Sequence, residues 1–217
     1  MTYLLVAGGP KVDLPSLQEL CDELKPTGII GVDRGAYYLL EACITPNLAI
    51  GDFDSIGETY LKQLKAESVE LTTFPAEKDQ TDMELALDIV KERFNAKKLI
   101  IVGATGGRLD HFLMNVQLLE VAATRGIEVE ILNTSNRMSY LDSGVKHVKH
   151  SIYTYLSLLA ITEKVSGITL TGVKYELTNA QLKRGSSLCV SNEIVDDEAI
   201  VKIESGKVIV IESKDEN

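Results

Sequence analysis

Three short segments of the chain carry residue types that can do chemistry together. The first is Gly51-Asp52-Phe53-Asp54-Ser55, directly after the apolar run Leu48–Ile50. In an extended chain residues i and i+2 point to the same side, so Asp52 and Asp54 form a carboxylate pair suited to a hard divalent cation bound partly through water. A solvated acidic turn would use the same residues. The second segment is Lys78-Asp79-Gln80-Thr81-Asp82-Met83-Glu84. Thr81 and Glu84 have the S/T-x-x-E spacing of a capping box, which puts Asp82 in a first helical turn and Asp79 just before it. A helix N-terminus stabilises a carboxylate by about 0.3–1 kcal/mol, enough to account for one of these acids. Bringing two acids beside a second acidic pair costs more. At ~4 Å and an effective dielectric near ~20, each like-charge pair repels by about 4 kcal/mol, and a cation relieves it.

The third segment runs from Leu99 to His111 and reads as strand, Gly-rich loop, helix start. Glycines such as Gly106 and Gly107 let backbone N–H groups approach phosphate oxygens, a helix N-terminus favours anions, and Arg108 offers a guanidinium fork. Asp110 is again an acid in a first turn, with His111 beside it. The spacing is neither GxxxxGK[ST] nor GxGxxG, and a tight structural connection would use the same glycines. Val32-Asp33-Arg34-Gly35 closes another strand and would add an acid and a cation to the same rim, unless it is a plain turn. Gly8-Gly9-Pro10 follows the first strand without side-chain chemistry of its own. His147 and His150 sit among Lys146 and Lys149 and read as a solvated face, and Ser191-Asn192-Glu193 is unremarkable by spacing. Together, carboxylates at three strand ends and a Gly-rich loop with Arg are what metal-assisted phosphoryl chemistry requires. On the residues alone, transfer to an acceptor and hydrolysis both stay open.

The elements that must position these residues follow from periodicity. Tyr3–Ala7, Ile29–Val32, Leu48–Ile50, Val69–Phe74, Leu99–Val102 and Val129–Leu132 are short Val/Ile/Leu-rich runs bounded by Gly, Pro or charge, as buried strands are. Leu17, Leu20, Cys21 and Leu24 repeat at helical spacing, as do Met83, Ala86, Leu87, Val90 and Phe94. A third helix is expected from about Leu109 to Arg125, stopped by Gly126. This alternation predicts an α/β fold, a mostly parallel sheet with helices on both faces, over residues 1–134. Residues 135–217 show no long helical pattern. Ser151–Ile161, Ile168–Leu170, Lys174–Leu177, Ser187–Val190, Ala199–Ile203 and Lys207–Ile211 read as strands, with turns expected at Ser143-Gly144, Ser166-Gly167, Gly185-Ser186 and Ser205-Gly206. A smaller all-β sandwich domain is the expectation, leaning on the first domain or on a second subunit to supplement its modest core.

Composition narrows the partners. The chain has 217 residues, 45% hydrophobic and 25% charged, which is globular. A net charge of −10 disfavours a nucleic-acid-binding surface while leaving room for one phosphorylated small molecule. No apolar run reaches the ~18–20 residues of a membrane span, and the opening lacks a basic n-region. A soluble, cytoplasmic protein is expected. Cys21, Cys43 and Cys189 are odd in number, far apart and set among apolar neighbours, so buried, inert thiols are expected rather than a zinc site or disulfides.

The stretches VDRGAYYLL, GDFDSI, EKDQTDMELAL, GATGGRLDHFLMN, GITLTGVKYELTN and SLCVSNE, in this order, resemble bacterial thiamine pyrophosphokinases. The resemblance implies an α/β catalytic domain, a C-terminal β-sandwich for thiamine binding and dimerisation, and a homodimer. It implies transfer of the pyrophosphoryl group of ATP to the hydroxyethyl oxygen of thiamine, giving thiamine diphosphate and AMP. By motif, Asp52, Asp54, Asp79 and Asp82 resemble the Mg²⁺-holding acids, and Asp54, Asp79, Asp82 and Asp110 the catalytic cluster. Arg108 and His111, with Gly106 and Gly107, resemble nucleotide-phosphate contacts, and Asp33, Arg34 and Gly35 a nucleotide-side loop. Asp82, Ser191 and Asn192 resemble thiamine contacts. The chain departs from some members in having no Trp, so no residue is assigned to the thiamine rings. A phosphohydrolase using the same acids, and a non-catalytic nucleotide- or thiamine-binding module, are the alternatives.

Overall fold

The structure is a computed structural model and describes residues 1–53, 57–74 and 79–215. It divides into two compact units, Met1–Thr134 and Ser135–Asn217. In the first, six parallel strands, β1 (Thr2–Val6), β2 (Gly28–Val32), β3 (Leu48–Gly51), β4 (Glu70–Thr73), β5 (Lys98–Val102) and β6 (Glu128–Leu132), lie in the order β4-β3-β2-β1-β5-β6. Leu4, Leu5 and Val6 are all fully buried, as are Leu99 and Val102. Successive strand residues face opposite sides, so consecutive burial means that both faces of the sheet are covered. The cover comes from helices α1 (Leu17–Leu24), α2 (Arg34–Glu41), α3 (Gly57–Ala66), α4 (Asp82–Phe94) and α5 (Leu109–Thr124). On one side Leu4 and Val6 meet Ile100 and Val102 beneath Leu17, Tyr38 and Leu39.

The strand order reverses between β1 and β5. Such a switch point opens a crevice at the carboxyl ends of those two strands. The register there is tight: Val6 pairs with Gly31 on one side and with Val102 on the other. The anticipated Asp33–Gly35 turn is instead the start of α2, which packs its first turn on β1. A Cβ on Gly35 would stand 1.8 Å from the carbonyl oxygen of Val6. Two further helices, α2 and α3, were not among the expected elements, although Ala36, Leu39 and Leu40 and then Leu61 and Leu64 repeat at helical spacing.

The second unit is antiparallel and β-rich: β7 (Asn136–Lys149), β8 (Tyr155–Ala160), β9 (Lys164–Thr171), β10 (Leu177–Lys183), β11 (Asn192–Glu193) and β12 (Glu198–Ser213). The first half of β12 lies between β7 and β9, and its second half between β7 and β8. Three of the four expected turns are bends inside strands. Ser143 and Gly144 (φ 36° and 110°) lie in β7 opposite the register shift between Ile203 and Lys207 of β12, and Gly167 (φ 68°) interrupts β9 against β10. An extra residue in a bulge flips side-chain parity. Ala199, Val201 and Ile203 face the core before the bulge, and Val208 and Val210 after it. Ala199–Ile203 and Lys207–Ile211 are therefore one strand. Ser187–Val190 is a turn whose Cys189 is buried, and the run expected at Lys174–Leu177 enters β10 only at Leu177. Cys43 is exposed, not buried, because it sits with φ 57° in the turn leaving α2 while Ile44 takes the inward position. Among the described residues no helix is long and apolar enough to cross a membrane.

Gly35→Ala should drive the first turn of α2 off β1. A backbone overlap of this kind is expected to cost about 3 kcal/mol or more, lowering the thermal midpoint by roughly 6 °C or more in a scan against the wild type.

Candidate active site

The floor of the site is backbone. Where β1 and β5 end, Ala7 N–H donates to Val102 O at 2.8 Å and Gly9 N–H to Gly103 O at 2.8 Å. Both Gly-rich loops therefore leave the sheet side by side. Gly103, Gly106 and Gly107 all take positive φ, as the sequence pattern requires of a loop that turns sharply into a helix. Side chains then lock the loops in place. Tyr38 Oη donates to Gly9 O at 3.0 Å, Asn115 Nδ2 to Ala104 O at 3.0 Å, and Asn133 Nδ2 to Thr105 Oγ1 at 3.1 Å.

The acids stand around this floor. Asp33 links β2 to α2 with φ 50°, and its N–H donates to Ile50 O at 2.8 Å. A Cβ on Gly51 would meet Asp33 Oδ1 at 2.2 Å, so the glycine of the GDFDS motif makes room for the neighbouring acid. Asp52 follows β3 and is exposed, and Phe53 beside it is buried with φ 59°, anchoring the segment in an apolar cluster with Ala36, Leu40 and Leu64. The capping box is formed: Thr81 Oγ1 accepts from Glu84 N–H at 3.2 Å and Glu84 Oε2 accepts from Thr81 N–H at 2.9 Å. It fixes Asp82 as the first residue of α4.

Asp33, Asp52 and Asp82 line one cleft of about 980 Å³, together with Arg34, Gly106, Gly107, Arg108 and His111. An adjoining recess of about 430 Å³ is shared by Asp33, Asp82, His111, Asp110 and Gln80. Residues from five separate sequence segments thus meet at the carboxyl end of one sheet. Asp79 is exposed beside Gln80 and lines neither hollow, and Gly35 is buried under β1. Asp54 lies outside the described residues. Among the described residues no three His, Cys, Asp or Glu side chains stand close enough to hold a metal by themselves. Asn115, Met83 and Phe112 also line the cleft and went unassigned in the sequence. The spacing 108, 111, 112, 115 along one helix face was the available signal for Asn115 and Phe112.

Arg108 and Asp110 form a two-pronged ion pair, Nε to Oδ1 at 3.1 Å and Nη2 to Oδ2 at 2.5 Å. The guanidinium, together with a hydrogen bond from His111 N–H at 2.9 Å, pushes the Asp110 carboxyl down to about 2. Both side chains remain more than half exposed, so the pair is an organising contact at the cleft mouth and a weak contributor to stability.

In the second unit Asn192 is buried. Its Oδ1 accepts from Tyr175 N–H and from Glu193 N–H, both at 3.0 Å, and its Nδ2 donates to Tyr175 O at 2.8 Å. The amide is thereby committed to holding the backbone of Tyr175, whose ring is 63% exposed. Lys174 pairs with Glu193 at 2.7 Å and lies 5.7 Å from that ring. Ser191 is exposed next to them.

The parallel sheet with Gly-rich loops and carboxylates at its switch point is an architecture suited to phosphoryl transfer. Residues 24–131 match the family model of the thiamin pyrophosphokinase catalytic domain, and residues 146–210 that of the thiamin pyrophosphokinase vitamin B1 binding domain. Thiamine pyrophosphokinase of Bacillus subtilis is 39% identical over 215 residues, covering 99% of each chain, and its crystal structure superposes with a TM-score of 0.92 over the whole of both chains. The enzyme from Geobacillus thermodenitrificans is 40% identical, with a TM-score of 0.89 over 100% of this chain and 99% of its own. The chain belongs to the thiamine pyrophosphokinase family.

A carboxyl whose folded pKa lies below its unfolded value favours the fold above about pH 4 and loses that contribution as pH falls through the folded pKa. The Asp110 side-chain carbon, followed by NMR, should titrate with a midpoint of about 2. In Arg108→Ala the midpoint should rise toward the ordinary value near ~3.9.

Proposed function

We propose that the chain transfers the β,γ-pyrophosphoryl group of ATP to the hydroxyethyl oxygen of thiamine, with Mg²⁺ as the metal. The observation that carries this reading is the single cleft in which Asp33, Asp52 and Asp82 face Arg34, Arg108 and two Gly-rich loops. The loop N–H groups and the two guanidiniums bind the polyphosphate. Asp82 and Asp110 orient the thiamine hydroxyl. Its oxygen bonds to the β-phosphorus, the bond from that phosphorus to the bridging oxygen of the α-phosphate breaks, and AMP leaves. The hydroxyl proton passes to a carboxylate of the cluster.

The donors at the cleft are carboxylate oxygens, with no thiol among them. Mg²⁺ binds through one or two carboxylates plus water and substrate phosphates, so Asp52 and Asp82, with Asp54 and Asp79 from the same motifs, suit it without a complete protein cage. When bound, the ion neutralises phosphate charge and favours departure of AMP. In the second unit, Ser191 and Tyr175 offer a hydroxyl and an open aromatic face, and thiamine carries a cationic ring that such a face attracts. Tyr175 takes the ring-packing role for which the chain has no Trp. The exposed apolar side chains of Leu188, Val190 and Val195 nearby support a homodimer, since a second copy would cover them. All three cysteines are free thiols, in keeping with the reducing cytoplasm. A phosphohydrolase would have no use for the vitamin B1 binding unit matched at residues 146–210.

Incubation with ATP, Mg²⁺ and thiamine should give thiamine diphosphate and AMP in equal amounts by chromatography. Stoichiometric ADP, or phosphate released without thiamine, would contradict the reading. Asp82→Asn should lower kcat by about a hundredfold or more while leaving the far-UV circular dichroism and thermal midpoint near wild type. Tyr175→Ala should raise KM for thiamine by about tenfold with KM for ATP unchanged, the loss expected of one ring contact.

A further inference from the structure

One carboxylate outside both hollows joins the two helices that present the acids. Asp88 stands two turns into α4 and is partly buried. Its Oδ2 accepts from Gln80 Nε2 at 3.0 Å, and its Oδ1 accepts from Arg125 Nη1 in a short ion pair. Gln80 sits just before the N-cap Thr81 and lines the recess with Asp82 and Asp110. Arg125 ends α5, whose first turn carries Asp110. Both oxygens of Asp88 are thus engaged, one by the loop entering α4 and one by the far end of α5.

The capping box fixes the chain from Thr81 forward, through Glu84. Nothing in it holds the residue before the cap. Gln80 has three side-chain torsions, and its order has to be imposed from outside. Asp88 imposes it by drawing the amide back along α4 through one oxygen, while its other oxygen takes a separate charge-assisted bond from Arg125. We infer that Asp88 is a positioning residue for pyrophosphoryl transfer, acting through Gln80 to hold the Asp79–Asp82 segment against the α4–α5 pair. The inference rests on the reaction proposed above. Its consequence is that Asp82, in the first turn of α4, keeps a fixed place at the acceptor hydroxyl.

The test compares D88A, Q80A, R125A and the D88A/Q80A double variant in the full chain. Displacing a reacting group by about 1 Å costs on the order of a hundredfold in rate, so D88A should lower kcat by about tenfold to a hundredfold with KM for ATP within about threefold of wild type. The double variant should be no slower than the slower single variant, because both break one link. R125A removes the other partner of Asp88 and the same tie between helices, yet should keep kcat within about threefold, since Gln80 remains held. Amide hydrogen exchange at Thr81 and Asp82 should quicken in D88A and not in R125A. Wild-type kcat in D88A, multiplying losses in the double variant, or equal losses and equal exchange in D88A and R125A would each overturn the inference. A wild-type chain that makes no thiamine diphosphate would instead refute the reaction, and the exchange comparison would still decide whether Asp88 holds the segment.

Discussion

Asp33, Asp52 and Asp82 share one cleft, and the mutual repulsion of carboxylates gathered at a rim has to be offset where it arises. Each acid has a local reason to sit at its own strand end or helix start. Asp82 gains from the α4 N-terminus, Asp110 from Arg108 and the N–H of His111, and Asp33 from the space that Gly51 leaves open. None of these local gains calls for convergence. What convergence requires is a positive partner brought to the same place, and Arg34 and Arg108 supply only part of it. In the proposed reaction a divalent cation would complete the balance, and its charge would make the crowding of acids favourable.

The fold delivers that convergence by a backbone device. Reversal of strand order between β1 and β5 opens the crevice, and the two hydrogen bonds from Ala7 and Gly9 keep its loops in register. Tyr38, Asn115 and Asn133 then hold loops whose glycines would otherwise be loose. The residues lining the cleft come from strand ends and helix starts, positions whose freedom is spent by the sheet itself. The same economy appears in the second unit, where Asn192 spends its amide on the backbone of Tyr175 and so presents an exposed ring on a fixed support.

Much of this was legible in the residues. The six runs became six parallel strands within a residue or two, because strands buried on both faces, as β1, β2, β3 and β5 are, are continuous apolar runs with clear ends. The β4 strand was expected buried but lies at the sheet edge, with Glu70 to Thr73 exposed or half-buried. The capping box placed Asp82 correctly because Thr81 and Glu84 determine a helix start locally. The start of α2 was misleading: Asp33-Arg34-Gly35 puts a glycine and a charged pair where a turn would, although the spacing of Ala36, Leu39 and Leu40 behind it is helical. In the second unit the Ser-Gly pairs imitate turns for the same reason, since a bulge and a turn ask for the same positive φ, and partner strands decide between them. The acids of the cleft, Asp33, Asp52 and Asp82, lie in segments that the residue types had singled out. Asp88 was not, because its meaning lies in Gln80 and Arg125, partners that only the packing of α4 on α5 brings to it.

The most direct measurement of the central claim uses Mn²⁺ in place of Mg²⁺, with a non-hydrolysable ATP analogue, and follows paramagnetic broadening of the amide resonances. Asp52, Asp82 and the Gly106–Arg108 loop should broaden most strongly and together, saturating at a single metal-nucleotide concentration, while Thr2 and Lys98, at the opposite ends of β1 and β5, stay sharp. Broadening confined to one isolated acid, or spread evenly over the acidic surface without saturation, would contradict it.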